Sequence, residues 1–148
     1  MKLEVKVKKL TDTAKLPIRG SKSAAGYDLF ADTNESITID PGMTKLFPTG
    51  LAFEIPEGYF GGLYPRSGLA TKRDVNLINC VACVDADYRG EVMVALHNHS
   101  RMNAMVIEPH ERIAQLIVQP FATIEFKETE ELSETERGKG GFGSTGTK

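Results

Sequence analysis

Short apolar runs, each bounded by a turn signal, recur along the chain and constrain its fold more than any other feature. Ile37 to Ile39 precedes Asp40-Pro41-Gly42, Leu51 to Ile55 precedes Pro56-Glu57-Gly58, and Tyr59 to Tyr64 follows directly. Leu77 to Val84, Glu91 to Leu96, Ala104 to Ile107 and Ile113 to Phe121 come later, and Val92, Val94 and Leu96 recur at every second position. Runs this short, rich in β-branched residues and separated by proline and glycine, suit strands. The opening MKLEVKVKKL alternates lysine with Leu3, Val5 and Val7 and suits one too. No stretch holds the 3.6-residue period of a long amphipathic helix. An all-β sandwich or barrel is expected, with one short helix after Ser67-Gly68 and no internal repeat.

At 148 residues the chain suffices for one domain with a real core, and not for two of ordinary size. After Phe121 its character changes. KETEELSETER is acidic and poor in apolar residues, which predicts a solvated linker. The expected division is a β-barrel over residues 1–126 and a linker with glycine-rich arm over 127–148. Ala122 to Glu136, fully extended, could reach up to ~50 Å from the core. A net charge of −2 gives no general pull toward nucleic acid, and no apolar run is long enough to span a bilayer. The N-terminus also lacks the apolar core of a signal peptide. An intracellular protein with neither nucleic acid nor membrane as partner is expected.

Cys80 and Cys83 form C-V-A-C, which could be a redox pair or, with His97 and His99 on one face of a strand, a zinc site. The simpler expectation is that both thiols fill a buried segment, NLINCVACV. Near the chain's end, RGKGGFGSTG twice matches G-x-G-x-x-G, but no helix can follow to meet a pyrophosphate, so the dinucleotide reading fails. What remains is chemistry without a helix. Glycines bare backbone N–H groups for phosphate oxygens, Ser144 and Thr145 add donors, Arg137 can fork two oxygens, and Phe142 offers a flat face to a base. Phosphates and one base together imply a nucleotide.

Four core segments supply matching groups. AAGYDLFA carries the carboxylate Asp28 after a glycine, and PRSGLA brings Arg66, Ser67 and Gly68 to an expected strand end. VDADYRG sets Asp85, Asp87 and Tyr88 where a strand or hairpin could turn them to one face, and RIAQLI carries Gln115 within an apolar stretch. Taken singly, Asp28 and Gln115 could serve only to bond turn backbone, Arg66 could form an intersubunit ion pair, and Asp87 reads as structural.

In this order, AAGYDL, PRSGLA, VDADYRG, RIAQLI and RGKGGFGSTG closely resemble the five motifs of the homotrimeric dUTP pyrophosphatases, spread from residue 24 to residue 146. The resemblance implies a distorted, jelly-roll-like β-barrel, a homotrimer with sites at subunit interfaces, and magnesium-dependent hydrolysis of dUTP to dUMP and pyrophosphate. By motif match it implies Asp85 as the base for the attacking water and Asp28 as the carboxylate that holds Mg2+ through water. Arg66, Ser67, Gly68 and Gln115 match positions that grip the phosphate chain. Arg137, Gly143, Ser144 and Thr145 match the arm's contacts, Phe142 the aromatic over uracil, Tyr88 the ring beneath the deoxyribose, and Asn79 the uracil-reading asparagine of some members.

The chain departs from the pattern at Ala82, where many members carry glycine, at Cys83, usually aliphatic, and at His110-Glu111, where Gly-Asp is usual. Two other functions fit the same scaffold: a dCTP deaminase-like enzyme, which VDADYRG fits less well, and a non-catalytic nucleotide sensor, against which Asp85 and the complete tail argue.

Overall fold

The computed structural model describes residues 2–141, and apart from one short helix its regular elements are all strands. In chain order they are β1 (Lys6–Lys9), β2 (Ile18–Arg19), β3 (Tyr27–Phe30), β4 (Ile37–Ile39), β5 (Thr44–Pro48), β6 (Leu51–Glu54) and β7 (Tyr59–Tyr64). The helix α1 (Ser67–Arg73) follows, then β8 (Val75–Leu77), β9 (Ala82–Val84), β10 (Met93–Asn98), β11 (Met105–Ile107) and β12 (Arg112–Pro120). The all-β expectation is borne out, and the short helix expected after Ser67-Gly68 is present but starts at Ser67 itself. Among the described residues the strands do not close into one hydrogen-bonded ring. They form four sheets, ordered β1-β6, β5-β10-β8, β11-β4 and β2-β3-β12-β7-β9.

One apolar core joins these sheets. Phe47, Leu29, Ile39, Leu51, Leu96 and Ile113 are each fully buried, and side chains of this size contribute roughly 1.5–3 kcal/mol apiece on leaving water. Along β10 the alternation is clean: Val94, Leu96 and Asn98 turn inward while Met93, Ala95 and His97 are half-buried. Asn98 is tolerated inside because its amide donates to Ile39 O at 2.9 Å and Asn103 O at 2.8 Å. The edge strand β1 is wholly exposed. Its Lys6 pairs with Glu54 on β6 at 2.8 Å, and that hydrogen bond and charge attraction raise the lysine's pKa and lower the carboxylate's.

α1 follows Arg66, which is still extended at φ −91°, and ends where Asp74 turns left-handed at φ 52°, its N–H bonded to Leu69 O. Lys72 and Arg73 occupy its last turn, where cations favour the helix C-terminus. Leu69 anchors it to the core, and Arg73 ties its far end to Glu111 and to Val106 O.

The longest strand, β12, is the spine of the five-stranded sheet. It pairs antiparallel with β3 on one side and β7 on the other. A bulge interrupts the β3 side: Arg112 lies opposite Phe30 and Ala114 opposite Leu29, leaving Ile113 over. Ile113 and Ala114 are therefore buried in succession, and the two-residue alternation changes phase between Arg112 and Gln115.

Two expectations are corrected. Leu77 to Val84 is not one buried strand: β8 pairs with β10, β9 pairs with β7, and a turn from Ile78 separates them. Cys80 and Cys83 are consequently exposed rather than buried. Among the described residues no three His, Cys, Asp or Glu side chains come together as a metal site, although the His97 and His99 rings do touch, 4.5 Å between centroids. β12 ends at Pro120, and from Phe121 to Lys139 every residue is exposed, without strand or helix.

Candidate active site

The first cavity, about 230 Å³, opens where β3, β12 and the start of α1 meet, lined by Asp28, Arg66, Ser67, Gly68, Arg112 and Gln115 among others. Pairing brings its members together: Gln115 lies opposite Asp28 on one side and Tyr64 on the other. Beyond Tyr64 the chain leaves β7 and delivers Arg66 and then the exposed Ser67 and Gly68 at the first turn of α1. The backbone before β3 approaches closely, since a Cβ at Gly26 would lie 2.7 Å from Gln115 Oε1.

Asp28 is the electrostatic centre of this cavity. Its side chain is only 10% exposed, and it accepts from Arg66 Nε at 3.0 Å on Oδ1 and from Arg112 Nη1 at 3.1 Å on Oδ2. Arg66 Nη1 also donates to Arg112 O at 3.1 Å. Arg66 thus makes its ion pair within its own chain. Gln115 Nε2 donates to Pro65 O at 3.0 Å, so this side chain does bond backbone while lining the cavity. Two guanidinium groups and the hydroxyl of Ser67 surround a space suited to phosphate oxygens.

The second cavity, also about 230 Å³, is lined by Asn79, Ala82, Cys83, Asp85, Tyr88 and Glu91 among others. Asp85 stands just beyond β9 and is exposed. The segment after it is a turn rather than a strand, closed by Tyr88 N donating to Asp85 O at 3.1 Å, and this turn sets the carboxylate and the ring at one cavity. Asn79 reaches the cavity from the turn between β8 and β9. An open carboxylate beside an aromatic face and an amide can hold a ring system and take a proton from water.

The structure therefore sorts the expected site residues into two groups. Asp28, Arg66, Ser67, Gly68 and Gln115 share one cavity, Asn79, Asp85 and Tyr88 share another, and among the described residues none lines both. Arg137 stands apart on the tail, its Nε donating to Gly140 O at 2.9 Å. Phe142, Gly143, Ser144 and Thr145 lie outside the described residues. The sequence reading gave no role to Arg112 or Glu91. Arg112 stands three positions before Gln115, which in an unbroken strand would face away, and only the bulge at Ile113 brings both to the cavity.

A family model described as dUTPase matches residues 12–146. A deoxyuridine 5'-triphosphate nucleotidohydrolase of Nautilia profundicola is 49% identical over 144 residues, covering 97% of this chain and 99% of its own. Among solved structures, a Staphylococcus bacteriophage 80alpha dUTPase G164S mutant with dUpNHpp superposes with a TM-score of 0.89 at 32% identity, covering 97% of this chain and 99% of that one. A phage phi11 dUTPase mutant described with a structural Mg(II) ion gives a TM-score of 0.77 at 27% identity, over 86% of this chain and 97% of that one. The likeness runs through all the segments that line the two cavities and on into the tail, and the chain belongs to the dUTPase family of enzymes.

Proposed function

We propose that the protein hydrolyses dUTP to dUMP and pyrophosphate with Mg2+, in a homotrimer whose sites are shared between subunits, and so keeps uracil out of DNA while supplying dUMP for thymidylate synthesis. The observation that carries this reading is the separation of the exposed Asp85, with Tyr88 and Asn79, from the phosphate-suited cavity around Arg66, Ser67 and Gln115. Among the described residues neither cavity alone holds both a base and a phosphate grip. A second copy that sets its phosphate cavity against the first copy's nucleoside cavity completes the set, and residues 127–148 act as an arm that closes over it. The binding of dUpNHpp, an imido analogue of dUTP, by the phage relative supports the substrate.

In this reading Asn79 pairs uracil, Tyr88 lies beneath the deoxyribose, and Asp85 takes the proton of the water that attacks the α-phosphorus. The new P–O bond forms as the bond to the bridging oxygen breaks, and the electron pair leaves on pyrophosphate. Arg66, Ser67, Gly68 and Gln115 hold the phosphates in line, where positioning and charge stabilisation do most of the catalysis. Arg137 gives up its bond to Gly140 O to join Ser144, Thr145 and the Gly143 backbone on the phosphates while Phe142 covers the base.

The donor set fits an ion carried by the substrate better than one held by the protein. Among the described residues Asp28 is the only carboxylate lining the phosphate cavity, and both of its oxygens already accept from arginine. Mg2+ keeps several waters and is usually bound by one or two carboxylates plus substrate phosphates, so Asp28 would meet it through a water. When bound, it offsets the charge that develops on the leaving pyrophosphate.

Pyrophosphate release from dUTP, compared with dTTP, dCTP and UTP with and without magnesium, tests the reaction. Turnover of dCTP or UTP within about tenfold of dUTP would overturn the substrate assignment. The shared site has its own test. A chain truncated after Glu136 and an Asp85→Asn chain, each inactive, are refolded together, and activity should return only in the mixture. No recovery in confirmed mixed trimers would place each arm on the subunit that supplies its own Asp85.

A further inference from the structure

The Tyr88 ring does not hang free at the edge of the nucleoside cavity. Its hydroxyl donates to Glu91 O at 2.9 Å, and its ring lies against Gly90. A Cβ at residue 90 would sit 2.6 Å from Cζ and 3.0 Å from Cε2 of that ring, well inside the separation at which carbon atoms pack, and would overlap the hydroxyl as well. The carbonyl that tethers the hydroxyl is itself fixed. Glu91 Oε1 accepts from Gly50 N at 2.7 Å, and Val92 N donates to Leu51 O at 2.8 Å, so this segment is pinned to the start of β6. The ring rests on bare backbone that only glycine provides.

We propose that Gly90 determines selectivity for deoxyribose over ribose by setting where the Tyr88 ring lies. The inference rests on the cavity being the nucleoside half of a dUTP site. A ring seated on Gly90 presents one fixed surface to the sugar, and a 2′-hydroxyl must find room above it. With a Cβ at residue 90 the ring swings off its seat and loses the tether to Glu91 O. Displaced outward it admits ribose, and displaced inward it obstructs deoxyribose. Either way the ratio of dUTP to UTP turnover falls.

The test measures kcat/KM for dUTP and UTP in the wild type, Gly90→Ala and Tyr88→Phe, with a urea unfolding curve for each. A wild type that turns over both substrates equally would overturn the cavity reading and this inference together. Given a selective wild type, the dUTP-over-UTP ratio in a folded Gly90→Ala should fall by at least about tenfold, and a smaller fall overturns the proposal. If Gly90→Ala does not fold, Tyr88→Phe decides, because it keeps the ring and removes the tether. Its ratio should fall by at least about threefold, and a smaller fall likewise overturns the proposal.

Discussion

Replacing Asp28 by asparagine keeps the side chain's shape and removes the single negative charge between two guanidinium groups. The carboxylate accepts from Arg66 Nε at 3.0 Å and Arg112 Nη1 at 3.1 Å, and its side chain is 10% exposed. An asparagine can still accept from one arginine through Oδ1, but its NH2 must then face the other. One charge-assisted bond is lost, a change typically of about 1.5–3 kcal/mol. The side chains of Arg66 and Arg112 are 29% and 45% exposed, so the released guanidinium can turn to water, which favours the lower end, about 1.5–2 kcal/mol. For a chain of this length that corresponds to a fall in Tm of roughly 3–8 °C. Urea unfolding at fixed protein concentration should show a lower midpoint with an unchanged slope. The freed guanidinium should also bind inorganic pyrophosphate more tightly than in the wild type. An unfolding free energy within about 0.5 kcal/mol of the wild type, together with unchanged pyrophosphate affinity, would refute the idea that Asp28 holds these cations.

Asp85→Asn should leave the urea midpoint and nucleotide affinity unchanged while abolishing nearly all turnover, because an amide cannot take the water's proton; a loss confined to KM would make Asp85 a binding group instead. Gly50→Ala should destabilise the fold by roughly 2–5 kcal/mol, since Gly50 has φ +65° and its new Cβ would lie 2.7 Å from Ala14 Cβ; an unfolding free energy lowered by less than about 1 kcal/mol would contradict this packing. Phe142→Ala should weaken substrate capture by roughly 1–3 kcal/mol, read as a fall in kcat/KM, and unchanged kcat/KM would mean the ring never closes on the base.

Much of the fold was legible where turn residues punctuate apolar runs. Tyr59–Tyr64 and Ile37–Ile39 coincide with β7 and β4 because proline and glycine signals mark their neighbouring turns. β5 was not legible: Thr44, Lys45 and Leu46 are all exposed, and only Phe47 of that strand is fully buried. The run through Cys80 misled because apolar residues alone do not reveal that a chain is passing from one sheet to another. Motif order singled out residues that line the two cavities, whereas their partition between them was not legible. That Asp28 lies opposite Gln115, and that Asp85 opens into a different cavity, follow from long-range pairing between β3, β12, β7 and β9 that no local pattern encodes.

The odd residue at Ile113 bears on how this segment can evolve. Arg112 and Gln115 stand three apart yet serve one cavity because Ile113 adds a half-step to the pleat. Deleting it would mend the ladder and leave the two residues at alternate positions of a regular strand, still on one face, at the cost of the buried Ile113 side chain, whereas one more inserted residue would turn one of them away from the cavity. The stretch from Arg112 to Gln115 is therefore free to lose its extra residue and not to gain one, and relatives that share the cavity should differ there by replacement or by loss of the bulged residue and never by a single-residue insertion.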